Sequence, residues 1–356
     1  MGIIFTLLRN KLNKAFWILV LVFSFNLNVK GQVVDSLESA VDRLGHYLLY
    51  RAHDSTYISN FGNELALKFV SMNKYNFFSL IDSKNQSRIK YRPARDLYLG
   101  VGFAYKWIAA DFTLGLGLYK EKEFEEQQAF DFQGRIFSSK HYFAATLQYY
   151  RGYKMNALQG TLANVSDTNQ IRKDVRNVNM ELQYLYALNY TKFSLKAPFV
   201  LNEIQKKSAG STIFGGSYSY FSLQSDSSLI PIEAKSDFIP EANLTNLSVL
   251  RLGINFGYMY TLVIKKNFFI TASVIPGVHF NTGDYSSPNI NQIAPNINLS
   301  LISMNSLGYN GRRFFGGLNF SYNGSLLKVQ QNLFTQIGYG KLSAFVGYRF
   351  KNKKDK

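Results

Sequence analysis

The stretch from Leu97 to Trp107, LYLGVGFAYKW, sets a large apolar group at every second position. Leu97, Leu99, Val101, Phe103, Tyr105 and Trp107 share one parity; Tyr98, Gly100, Gly102, Ala104 and Lys106 share the other. Successive side chains of a strand point to opposite faces, so this reads as a strand with one greasy face and one small or polar face. The pattern recurs along the chain. Phe112, Leu114, Leu116 and Leu118 alternate with Thr113, Gly115 and Gly117. Val178, Met180, Leu182, Tyr184, Tyr186 and Leu188 alternate with Asn179, Glu181 and Gln183. Leu252, Ile254, Phe256, Tyr258 and Tyr260 alternate with Gly253, Asn255 and Gly257.

The length of these runs bears on what the greasy face touches. They are roughly 10–14 residues long, against a mode near 5–6 for soluble strands and roughly 9–11 for strands that cross a bilayer. A soluble sandwich or lipocalin-like barrel would alternate too. The opposite face here is mostly Gly, Ser, Thr, Asn and isolated charges, as in a lumen, and many runs end in Tyr, Phe or Trp, as an aromatic girdle would. The expected fold is therefore all-β, an antiparallel transmembrane β-barrel of about 12–14 strands. Strands are predicted at 97–107, 111–119, 129–138, 141–151, 177–189, 191–202, 211–223, 249–263, 267–280, 296–307, 312–324 and 341–350, and residues 64–80 also alternate. Long connections are expected at 120–128, 152–176, 224–248, 281–295 and 325–340. The regular exchange of short and long joints breaks between 203 and 224, which marks one strand as missed or one as spurious.

The N-terminus indicates export. Arg9, Lys11 and Lys14 precede the apolar run Ala15–Phe25, and Val29 and Gly31 precede Gln32. This reads as a signal peptide over 1–31, since a spanning helix needs roughly 20 apolar residues. Residues 32–63 carry Val34, Leu37, Val41, Leu44 and Leu48 at helical spacing and read as a periplasmic segment with a short helix. The barrel is expected over 64–350, followed by a basic tail over 351–356. The expected location is the outer membrane of a Gram-negative bacterium.

The net charge of +17 is spread thinly, with no internal run dense enough for nucleic acid. Cysteine is absent, which excludes disulfides and thiolate metal sites. None of His46, His53, His141 and His279 stands in a metal-binding spacing. His279 shares the polar parity of Thr271 and Ser273 and is expected to face the lumen. Lys106, Asp111, Asp131, Arg135, Glu181, Lys192, Lys196, Arg251 and Arg313 form the candidate lumen lining, either as a structural ion-pair network or as a selectivity lining. Lys206, Lys207 and Ser208, with Gly210, make a candidate anion-binding loop for a lipopolysaccharide phosphate. The acidic run at 120–128 is expected to be a solvated loop. No cofactor and no catalytic set is expected. Expected partners are outer-membrane lipid, lipopolysaccharide and the outer-membrane assembly machinery, which would read the closing strand at Phe350. The expected role is a non-enzymatic narrow channel or plugged scaffold; a structural protein displaying outer loops and a lipid-modifying enzyme are the alternatives.

The stretches YRPARDLYLGVGFAYKW (91–107), NEIQKKSAGS (202–211) and GYMYTLVIKKNFF (257–269) resemble a family of Bacteroidota proteins known as domain of unknown function 4421. The resemblance covers about residues 55–350, with Ala94 standing where the family typically has Asn. It implies a signal peptide and an outer-membrane barrel, and it implies no activity.

Overall fold

Alternation fixes which face each side chain takes; pairing fixes which strands meet. The computed structural model describes residues 53–93, 97–105, 108–116, 127–158, 171–287 and 290–351. The expected signal peptide, residues 32–52, Lys106, Trp107, most of the 120–128 run and nearly all of the tail lie outside the described residues. The strands are β1 (Ile58–Asn60), β2 (Leu65–Asp82), β3 (Ser87–Arg92), β4 (Leu97–Tyr105), β5 (Ile108–Gly115), β6 (Gln128–Phe137), β7 (His141–Leu158), β8 (Ile171–Ala187), β9 (Glu203–Gln205), β10 (Ala209–Gln224), β11 (Asn246–Ile264), β12 (Phe268–Ser287), β13 (Ile290–Asn310), β14 (Phe314–Gln330) and β15 (Leu333–Phe350). One short helix, α1 (Lys196–Phe199), lies between β8 and β9.

Ten strands close a ring in the order β2, β3, β7, β8, β10, β11, β12, β13, β14, β15, and β15 returns to β2. Every pairing is antiparallel, and the closing ladder runs from Leu65 opposite Phe350 to Asp82 opposite Leu333. Three further strands make the sheet thirteen-stranded: β4 pairs with β2, β5 with β4, and β6 with β7. The thirteen strands of the sheet fall within the expected 12–14, and ten of them close the ring. The ring has a terminal end, where Leu65 and Phe350 meet, and a far end, where Asp82 and Leu333 meet.

The outward face is apolar around the wall. Ile254 (73%), Phe256 (66%), Leu299 (67%) and Val274 (63%) are exposed, although each lies mid-strand among buried neighbours. No helix among the described residues is long and apolar enough to cross a membrane, so a crossing falls to the strands.

The strand predicted at 191–202 does not form. Thr191 and Lys192 lie in a turn, Lys196–Phe199 is helical, and Phe193 and Leu195 are buried inside the terminal end with Tyr142, Leu185, Met259 and Ile302. The alternation there is coincidental, and Pro198 could not have donated to a central ladder. Without that strand, β8 and β10 are direct neighbours, Ala187 opposite Ile213, and the long joints 188–208 and 225–245 stand at opposite ends of β10. The connections expected at 281–295 and 325–340 are mostly strand, because main-chain pairing continues past the apolar face; β14 and β15 are joined by only Gln331 and Asn332.

The outward parity of β11 gives a direct test. Ile254→Arg is expected to cost about 2–4 kcal/mol of folding stability, the scale for a cation on the lipid face near mid-bilayer. Denaturant unfolding of the barrel in lipid vesicles measures it, with the apolar Ile254→Leu as the comparison.

Candidate functional site

Inward residues sort into three levels along the barrel axis. At the far end Phe78, Leu80, Ile89, Tyr91, Tyr153, Phe221, Leu247 and Leu333 turn inward from the strands. The segment 225–245 folds onto them and adds Leu229, Ile230, Ala234, Phe238 and Leu244. It is tied down by main-chain bonds, Ser225 to Thr245 and Leu229 to Leu244, and by Arg172 Nη1 donating to Ser228 O at 2.6 Å. Ile239 N–H donates to the buried Asp82 carboxylate at 2.9 Å.

The terminal end is filled by 193–201. Val200 and Leu201 pack against Ala66, Val70, Phe269, Phe315 and Phe345. Arg349 is wholly buried and organises this plug: its Nε donates to Leu201 O at 2.8 Å, Nη2 to Asn310 Oδ1 at 2.5 Å, and Nη1 to Gly311 O. Its guanidinium lies 4.8 Å from the Phe315 ring centroid and 5.4 Å from that of Phe61. β1 pairs with β9 beside it.

Between the two apolar levels lies a polar one. Asn323 Nδ2 donates to Glu181 Oε1 at 2.5 Å and to Tyr339 Oη at 2.9 Å. Arg251 Nη1 donates to Ser325 Oγ at 2.5 Å. His279 Nε2 lies 3.1 Å from both Ser217 Oγ and Ser300 Oγ. Asp131 accepts from Tyr150 Oη at 2.6 Å and Gln148 Nε2 at 2.8 Å, and stands 3.6 Å from Lys74 Nζ. Asp111 pairs with Lys68 at 3.0 Å, and Arg135 Nη2 donates to Ser321 Oγ at 2.9 Å.

Of the candidate lumen lining, Asp111, Asp131, Arg135, Glu181 and Arg251 turn to the inward side of their strands and make the contacts above, as does His279. Lys106 lies outside the described residues. Lys192, Lys196 and Arg313 do not line the lumen from strands. Lys192 sits in the 188–192 turn with Nζ 5.4 Å from the Tyr57 ring centroid. Lys196 is buried on α1, 3.6 Å from Glu203. Arg313 precedes β14 and donates to Glu64 at 3.2 Å. All three sat in segments whose parity was read as strand and whose chain turns instead. In the candidate anion-binding loop, Lys206 Nζ donates to Ser55 O at 2.6 Å, Lys207 Nζ lies 5.2 Å from the Tyr57 centroid, and Ser208 Oγ accepts from Val263 N–H at 2.9 Å. Each group is engaged with its own chain, at the terminal end. Sequence reading missed Lys68, Lys74 and Lys341, although Lys68 and Lys74 stand opposite in parity to Leu65, Leu67 and Phe69. No cluster of potential metal ligands occurs among the described residues.

Over residues 52–350 the sequence matches the family described as Domain of unknown function (DUF4421). The chain belongs to this family. No curated protein matches it. Among solved structures, the outer membrane protease OmpT from Escherichia coli is similar over 82% of this chain and 98% of its own, at 7% identity and a TM-score of 0.37. The translocator domain of the autotransporter NalP from Neisseria meningitidis is similar over 89% and 98%, at 10% identity and a TM-score of 0.31. The outer membrane protein OprG from Pseudomonas aeruginosa is similar over 83% and 99%, at 10% identity and a TM-score of 0.23. The DUF4421 chain is a closed antiparallel β-barrel by its own strand pairing, and its chemistry has to be read from its own residues.

The Arg349 cluster predicts a specific weakness. Arg349→Met strips donors from Leu201 O, Gly311 O and Asn310 Oδ1, at about 1–3 kcal/mol for each acceptor left unsatisfied. Limited proteolysis is expected to cut within 188–208 in this variant while leaving that segment intact in the parent.

Proposed function

We propose that this DUF4421 protein is a non-enzymatic outer-membrane barrel that acts as a plugged scaffold rather than an open pore. The observation that carries this reading is the pair of apolar levels filling the two ends of the lumen. A hydrated ion moving along the axis would have to shed its water among Leu229, Ile230, Phe238 and Leu244 at one end and Phe193, Leu195 and Leu201 at the other. Moving a bare charge into such surroundings costs far more than thermal energy. The polar level is then sealed at both ends of the axis, and its bonds brace the wall.

An outer-membrane location is supported by the exposed apolar belt, by the short 265–267 and 311–313 turns at the terminal end, and by a closing strand that ends on an outward Phe350. Lipopolysaccharide around the outer rim and the assembly machinery at β15 are the partners such a location brings. A non-enzymatic role is supported by the surroundings of His279. Ser217 and Ser300 are close enough for a nucleophile–base pair, yet His279 Nδ1 is buried with no partner among the described residues, so nothing orients the ring as a base.

Planar-bilayer recording tests this reading on protein whose folded state is established by heat-modifiable migration. The parent is expected to be silent. Replacing 229–244 with a short Gly–Ser link, together with Phe193→Ala, Leu195→Ala and Leu201→Ala, is expected to produce stable conductance steps. Stable steps in the parent would overturn the plugged reading in favour of a narrow channel.

A further inference from the structure

Most cations at the terminal end are engaged with their own chain. Lys140 lies over the Tyr186 and Tyr190 rings, and Lys192 and Lys207 lie over Tyr57. Lys206 donates to Ser55 O, Lys196 pairs with Glu203, and Arg313 pairs with Glu64. Lys265, Lys266, Arg312 and Lys351 differ. Each is exposed, and none makes an ion pair, a side-chain hydrogen bond or a ring contact among the described residues.

These four lie on adjoining pieces of chain. Asn310 N–H donates to Asn267 O at 2.8 Å, which joins the 265–267 turn to the 311–313 turn, and Asn267 Nδ2 donates to Tyr309 Oη at 3.3 Å. Arg349 N–H donates to Arg313 O at 2.8 Å, which sets the end of β15, and Lys351 after it, beside the second turn. Lys265 and Lys266 have φ of 46° and 69°, a left-handed backbone in which Gly or Asn is the usual occupant. Two lysines are locally unfavourable there, and what they bring is charge.

Just inside these turns the outward face is aromatic. Phe268 and Tyr309 have ring centroids 5.1 Å apart, and Tyr348 lies 5.0 Å from both Phe314 and Phe350. An aromatic girdle of this kind stands at headgroup level. It has a gap at Gly316, which shares the outward parity of Phe314 and Leu318 and lies between Tyr309 of β13 and Val346 of β15. At Gly338 and Gly340 the rings of Phe77 and Tyr75 would meet any Cβ; at Gly316 the three nearest atoms belong to the Phe345 carbonyl and to Val346. The wall therefore has a shallow apolar slot beneath a set of unpaired cations.

We propose that Lys265, Lys266, Arg312 and Lys351 form a headgroup site for an anionic glycerophospholipid of the periplasmic leaflet, with one acyl chain lying in the slot at Gly316. This rests on the outer-membrane reading of the barrel, which puts the short turns of the terminal end at the periplasmic face. Phosphate oxygens accept charge-assisted hydrogen bonds from ammonium and guanidinium groups, and cations at a bilayer surface attract anionic lipid over zwitterionic lipid. The long Lys and Arg stems let the charges stay at headgroup height while the rings below remain in the apolar layer.

The test uses the folded, full-length protein in phosphatidylcholine nanodiscs doped with phosphatidylglycerol that carries a diazirine on one acyl chain. Labelling is expected to concentrate on the peptide carrying Tyr309–Leu318. Excess phosphatidylglycerol should displace it, while phosphatidylcholine and inorganic phosphate should not. Lys265→Gln/Lys266→Gln/Arg312→Gln should lower this labelling roughly fivefold or more, and Lys84→Gln/Lys235→Gln, which removes exposed charge at the far end, should leave it unchanged. In the parent, about 0.5 M NaCl should weaken it as well, since exposed charges are screened. An equal pattern from diazirine-bearing phosphatidylcholine, labelling spread evenly round the belt, an unchanged pattern in the folded triple variant or in high salt, or an equal loss in the far-end variant would each overturn the site. Stronger displacement by lipid A than by phosphatidylglycerol would overturn its assignment to the periplasmic leaflet. Failure of the folded parent to enter the discs would instead overturn the membrane reading, and the site with it.

Discussion

Everything in this molecule depends on the ladder between β2 and β15. Main-chain N–H and C=O groups facing hydrocarbon have no water to bond, so a sheet in a membrane must close on itself. The register from Leu65–Phe350 to Asp82–Leu333 does this along the whole length of both strands. The apolar exterior is affordable only because that closure leaves side chains, and not peptide groups, against lipid.

The interior reverses the usual arrangement of a channel. Apolar side chains sit at the mouths and polar ones in the middle. The two plugs have different origins. The far-end cap is a single connection, 225–245, folded back on the strands it joins. The terminal plug is also a connection, 188–208, but it is fixed by a residue from the far side of the sequence. Arg349 gathers carbonyls from Leu201 and Gly311 that would otherwise be buried without donors. A charged side chain at the centre of an apolar plug is stable here because nearly all its donors are used.

Much of the wall was legible in the sequence because parity is a local property. Val178–Leu188 and Leu252–Tyr260 show which side faces lipid without reference to any partner. The same parity marks Glu181, Arg251 and His279, which are buried in the polar level. It failed at TKFSLKAPF, because a chain packed inside a barrel mouth also needs regularly spaced apolar groups, and two-fold spacing cannot tell lipid from an apolar lumen. Pro198 was the local signal against a strand. β3 was missed because six residues, SRIKYR, carry too few alternations to stand out. The contacts of its neighbour β2 were illegible for a different reason: Tyr75 stacks with Phe320 and Lys74 pairs with Asp131 only through pairing across the whole chain.

That long-range pairing has a temporal side. β2 is the first long strand of the barrel to leave the ribosome, and β15 is the last. β2 can acquire β3 and β4 early, through short connections, but its other edge stays bare until the final residues are made. Contacts so far apart in sequence are slow to form, because the entropy of bringing the ends together is lost before any bond rewards it. Until β15 arrives, the exposed edge of β2 is a template open to any extended chain nearby. The inward Lys68 and Lys74 on that strand place charge on one face of it during the wait, which disfavours stacking against another copy of itself.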